Sequence, residues 1–99
     1  MADIALQDSM SLGEPGFSAT LPLSNLSLKT TVNGKSVVLK NYTLYAPHPS
    51  GPPHAGDLRK VTGGSSKVMI EGYYVSRKGD SIADGDNINE GYSKVSIGG

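Results

Sequence analysis

The sequence predicts a small all-β fold of short strands, hairpins and long polar loops. Three observations predict it. Thirteen glycines and six prolines in 99 residues exceed the usual share and favour turns over long helices. Short runs alternate apolar and polar side chains, the period of a strand. One strand signature occurs three times, as Lys29-Thr30-Thr31-Val32-Asn33-Gly34, Lys67-Val68-Met69-Ile70-Glu71-Gly72 and Lys94-Val95-Ser96-Ile97-Gly98-Gly99. Three similar elements in one small domain imply a pseudo-threefold object.

The elements follow in chain order. Residues 1–25 carry no copy of the signature and read as an N-terminal extension or a first loop and strand. Gly13-Glu14-Pro15-Gly16 is a turn signal. Pro22 cannot donate to a ladder, so any strand containing it lies at an edge. Residues 26–99 hold the three repeats. In the first, Thr30 and Val32 share one face while Lys29 and Thr31 point the other way. Asn33-Gly34 suits a type I′ hairpin turn, because both residues tolerate positive φ. A return strand runs from Lys35 through Val37, Val38 and Leu39 towards Tyr42. Residues 47–57, rich in proline and glycine, form the clearest loop. In the second repeat Val68 and Ile70 share a face, Glu71-Gly72 turns, and Tyr74 to Arg77 returns. Residues 83–91 form another polar loop. The third repeat stops at its turn, which predicts a strand left unpaired for a partner to complete.

The bulk numbers exclude several functions. Nine basic and nine acidic residues cancel, which argues against a nucleic-acid clamp or attachment to anionic lipid. The absence of cysteine removes disulfides and thiolate ligands. The first residues lack a basic stretch followed by an apolar one, so synthesis in the cytoplasm without a signal peptide is expected. No apolar run reaches the length of a membrane-spanning helix.

The segment Gly64-Ser65-Ser66-Lys67-Val68-Met69-Ile70-Glu71-Gly72-Tyr73-Tyr74-Val75-Ser76-Arg77-Lys78-Gly79-Asp80 resembles the core unit of PAAR-repeat proteins. That unit reads approximately Gly-Ser-x-x-Val-x-Val-Asn-Gly-Lys-Pro-Ala-Ala-Arg-x-Gly-Asp. The ending from Glu90 to Gly99 resembles the family's C-terminus, and Asn33-Gly34-Lys35 matches its turn. The likeness covers about residues 26–99 and is patterned. Tyr74-Val75-Ser76-Arg77 keeps only the arginine of the Pro-Ala-Ala-Arg tetrapeptide, and Asn41-Tyr42 stands where Gly-Asp is expected.

The resemblance implies a conical β-structure, one copy of which caps a trimeric β-helical spike. The spike belongs to a phage tail baseplate, a tailocin-like particle or a type VI secretion apparatus. The tip's work is mechanical: it sharpens the spike and makes transient contact with the target cell envelope. No nucleic acid and no small-molecule substrate is expected. A trimeric β-helix ends in three unpaired strand edges, which three strands from one chain can extend. Thr30, Val32, Val68, Ile70, Val95 and Ile97 are therefore the expected partner-binding set, with Thr31, Met69 and Ser96 on the opposite face.

The resemblance also implies zinc or iron near the apex, held by histidines and a cysteine. His48 and His54 fall in the matching loop, and Asp84 stands where the cysteine belongs. No histidine occurs near Ala19 or Thr20, where the family's first would fall. Two nitrogens and an oxygen leave the set incomplete, since structural zinc sites are normally closed by four protein ligands.

Other constellations carry less chemistry. Asp84-Gly85-Asp86-Asn87 has the wrong spacing for a calcium loop and reads as a polar turn. No serine stands in a nucleophile elbow, and the chain is expected not to be an enzyme. Asp57 and Arg59 read as a solvated surface pair. Tyr73, Tyr74 and Tyr92 support the alternative function, a small carbohydrate-binding or adhesion domain.

Overall fold

The computed structural model of the chain describes residues 2–12, 20–46, 58–83 and 86–98. Every named element among them is a β-strand, so the fold is all-β. The strands are β1 (Ala2–Ile4), β2 (Pro22–Ser24), β3 (Thr31–Val32), β4 (Lys35–Ser36), β5 (Leu44–Tyr45), β6 (Arg59–Lys60), β7 (Met69–Ile70), β8 (Tyr73–Tyr74), β9 (Ser81–Ile82), β10 (Asp86–Asn87) and β11 (Tyr92–Ile97). All the pairings between them are antiparallel. Pro22 lies on β2, an edge of the β2-β5-β6 sheet, where its missing N–H costs no ladder bond.

Two hairpins form where the sequence places them. Thr31 pairs with Ser36 and Val32 with Lys35; Met69 pairs with Tyr74 and Ile70 with Tyr73. Both turns have positive φ at their two central residues, 54° and 76° at Asn33 and Gly34, 54° and 87° at Glu71 and Gly72. That is the type I′ geometry, whose twist matches the flanking strands.

The third repeat corrects an expectation. Its strand is not left unpaired: β11 pairs with β1, matching Ser96 to Asp3 and Ile97 to Ala2. The pair aligns with the two hairpins, Ser96 standing where Thr31 and Met69 stand in theirs. The third hairpin is thus assembled from opposite ends of the chain. Residues 2–12, which carry no signature, are integral to the fold.

The three return strands continue into the centre of the molecule. Ala5 N–H donates to Ser76 O at 3.1 Å, Ser76 N–H to Val38 O at 3.0 Å, and Val38 N–H to Ala5 O at 3.0 Å, a closed ring of three bonds. Isolated bridges Leu6–Val37, Leu39–Val75 and Ile4–Arg77 flank it. A second set of three joins the same segments: Gln7 N–H to Ser36 O, Lys40 N–H to Tyr74 O and Lys78 N–H to Asp3 O, at 2.8–2.9 Å.

After the ring each segment turns in the same way. Leu6 N–H donates to Ser9 Oγ and Ser9 N–H to Leu6 O. Leu39 and Thr43 exchange the same two bonds, as do Arg77 and Asp80. A side-chain oxygen thereby satisfies a backbone donor that such short strands leave over.

Strand alternation sorts the ring's side chains into two cores. Ile4, Leu6, Val37, Leu39 and Val75 point to one side and cluster with Ile97. Ala5 and Val38 point to the other and cluster with Tyr45, Val61, Ile82 and Ile88. Full burial of each valine, leucine or isoleucine contributes about 1.5–3 kcal/mol. Two-residue strands are therefore held by this packing more than by their own ladders. The molecule measures 35 × 23 × 23 Å, one long axis and two equal short ones.

Candidate functional site

The three strand pairs β3–β4, β7–β8 and β11–β1 lie against the first core. Val32, Val68, Ile70 and Val95 are half-buried and pack on it, Thr30 is half-buried, and Ile97 is buried at 9% exposure. Thr31, Met69 and Ser96 are exposed. Five of the six residues expected to bind a partner thus meet at one core, while Thr31, Met69 and Ser96 face away into solvent. Tyr42, Tyr73 and Tyr92 join the half-buried set, and Tyr42 stacks on Tyr73 with ring centroids 4.3 Å apart. Tyr74, the remaining tyrosine of the carbohydrate-binding reading, is half-buried with the Lys40 ammonium 5.9 Å from its ring centroid.

Glu71 ties two of these strand pairs together. Its Oε1 accepts the Leu28 N–H at 2.8 Å, and its Oε2 accepts the N–H groups of Lys29 and Thr30 at 3.0 Å each. The Leu28 and Lys29 amides lead the causes that hold its carboxyl below the ordinary carboxylate range. The equivalent turn residue of the first hairpin is Asn33. A glutamate at φ 54° is uncommon, so its reach, not its turn preference, accounts for its place. Sequence reading passed over it as a turn residue.

The other core encloses a charged cluster. Arg59 is 1% exposed and Asp86 1% exposed. Arg59 Nη1 donates to Asp86 Oδ2 at 2.6 Å, and its Nη2 donates to Thr20 Oγ1 and, at 3.0 Å, to Ala46 O. The Arg59 Nε has no hydrogen-bond partner among the described residues. Tyr45 donates its hydroxyl to Ser9 O at 2.7 Å; burial, then the Asp86 charge, pushes its phenol well above the usual value.

The structure therefore corrects the reading of Arg59 as a solvated surface residue. Alternation carried the missed signal: Arg59 stands two residues before buried Val61, and Asp86 two before buried Ile88, so each shares the inward face.

His48, His54 and Asp84, the metal-ligand candidates, lie outside the described residues, as does Asp57. Among the described residues no three His, Asp or Glu side chains converge as a ligand set. Comparison with known proteins finds no family model that matches the chain and no curated protein that matches it at a significant level.

Proposed function

We propose that this chain is a PAAR-like structural tip, one copy of which caps a trimeric β-helical spike in a contractile injection machine, with a phage baseplate the foremost candidate. The observation that carries the reading is the hydrogen-bond ring in which Ala5, Val38 and Ser76 each donate once and accept once. Taken with the three aligned strand pairs, it supports a pseudo-threefold axis. A C3 spike end offers three identical edges, and a monomer meets all three only if it repeats itself three times.

In this reading the hairpin side docks on the spike. Val32, Val68, Ile70 and Val95 supply apolar area that is half-exposed in the isolated chain. Binding would bury it, and with it the strand edges that a blunt spike leaves open. Sheath contraction supplies the work, and the two cores transmit compression to the target envelope. The chain would be made in the cytoplasm and act at the tip of the virion tail or injection apparatus. The Arg59–Asp86 pair closes the far core in this account, and no step is assigned to zinc or iron.

Co-expression with a trimeric β-helical spike tests the reading. The chain should co-purify with the trimer. Ile70→Asp should abolish capture while Lys60→Glu, on exposed β6 surface, leaves it intact. Capture that is absent for the unaltered chain, or indifferent to Ile70→Asp, contradicts the proposal.

A further inference from the structure

A cleft of about 340 Å³ lies between the turn after Leu6, strand β4 and the approach to β11. Its size falls at the lower end of the ~300–1,000 Å³ range of small-ligand sites. Asp8, Lys35, Lys78 and Glu90 line it together with Asn89 and Tyr92. Two of the four charges satisfy each other, since Lys35 is bonded to Asp8. The other two are left with capacity. The Lys78 ammonium has no hydrogen-bond or ion-pair partner among the described residues. Glu90 uses Oε1 to accept the Met10 N–H at 3.2 Å, and its Oε2 accepts nothing among the described residues.

Both groups spring from fixed backbone. Lys78 N–H is bonded to Asp3 O, and Asn89 N–H to Met10 O. Gly91 runs so close to β1 that a Cβ there would sit 2.6 Å from the Asp3 Cβ. Tyr92 packs on the core. The backbone is thus set before binding, and the ordering cost falls on the Lys78 and Glu90 side chains.

We propose that this cleft binds a small zwitterion, an amino acid or short peptide, with its carboxylate on Lys78 and its ammonium on Glu90. A simple anion would face Glu90 and Asp8, and a simple cation would face Lys78 and Lys35. Among charged ligands, only one carrying both charges meets the lining without like-charge repulsion. The proposal does not rest on spike capping and is tested on the isolated full chain.

The test is an amide chemical-shift titration with the dipeptide alanyl-alanine, its N-acetylated form and its C-terminal amide. The dipeptide should shift the amides of Lys78, Asn89, Glu90 and Tyr92 saturably, with a dissociation constant of about 1 mM or tighter. Each blocked form should bind roughly tenfold more weakly, a loss of about 1.4 kcal/mol. Lys78→Met and Glu90→Gln should each weaken binding as much. Both positions are exposed, and the glutamine keeps an acceptor for Met10, so the remaining spectrum should be unchanged. Unsaturable shifts, equal affinity for the blocked forms, or indifference to both substitutions would overturn the proposal.

Discussion

Arg59 and Asp86 face each other with both side chains fully buried, and removing Asp86 leaves the Arg59 charge buried without its carboxylate. Breaking a buried pair typically costs about 3–5 kcal/mol, whereas replacing both partners with apolar groups is often neutral. Asp86→Ala should therefore destabilise the chain by about 3–5 kcal/mol in urea unfolding. The double substitution Arg59→Met with Asp86→Leu should recover most of that loss, held back by the Thr20 hydroxyl and Ala46 carbonyl that lose their donor. A double variant no better than the single would mean that the pair itself sets the fold of this core. Glu71 poses the opposite case, an exposed carboxylate with a lowered pKa. A carboxyl depressed on folding contributes stability above its unfolded pKa and loses it as pH falls through the folded one. Melting curves should show Glu71→Asn, which keeps a turn-forming residue, destabilising at neutral pH. The gap from the unaltered chain should close as pH falls below about 4.5. A gap that is constant with pH would contradict the clasp.

At the scale of elements, legibility followed the range of the contacts. The first hairpin was readable because Asn33-Gly34 states its turn locally. The second was readable by likeness to the first. The third was half readable: its signature stood at the C-terminus, but its partner β1 begins the chain and shares no motif with β4 or β8. What β1 shares with them is a place in the ring, as Ile4-Ala5-Leu6 beside Val37-Val38-Leu39 and Val75-Ser76-Arg77. A three-residue apolar run such as Ile4-Ala5-Leu6 is too common for sequence to single out. If the three pairs are equivalent elements, the position of the break should matter little. A circular permutant that joins the ends by a short glycine turn and opens between Asn33 and Gly34 should keep the amide protection of Ala5, Val38 and Ser76. Exposed hairpin turns are where such breaks are tolerated. Loss of protection at all three positions would show that the β1–β11 pair plays a part the other hairpins do not.

For the whole molecule, composition and alternation sufficed for the all-β class, while the two-core arrangement rests on long-range hydrogen bonds that no local pattern encodes. The ring joins residues from the beginning, middle and later part of the chain. One side carries half-exposed apolar residues from every strand pair, and the other closes on Arg59, Asp86 and Thr20. Ile97, being buried, reports on folding when altered, so half-buried Ile70 is the better probe of docking. One chain presenting three matched elements to one trimer should bind it in a fixed ratio. Native mass spectrometry of the chain co-purified with a trimeric β-helical spike measures this directly. One copy of the chain is expected for every three spike subunits. Three copies per trimer, one on each subunit, would contradict it.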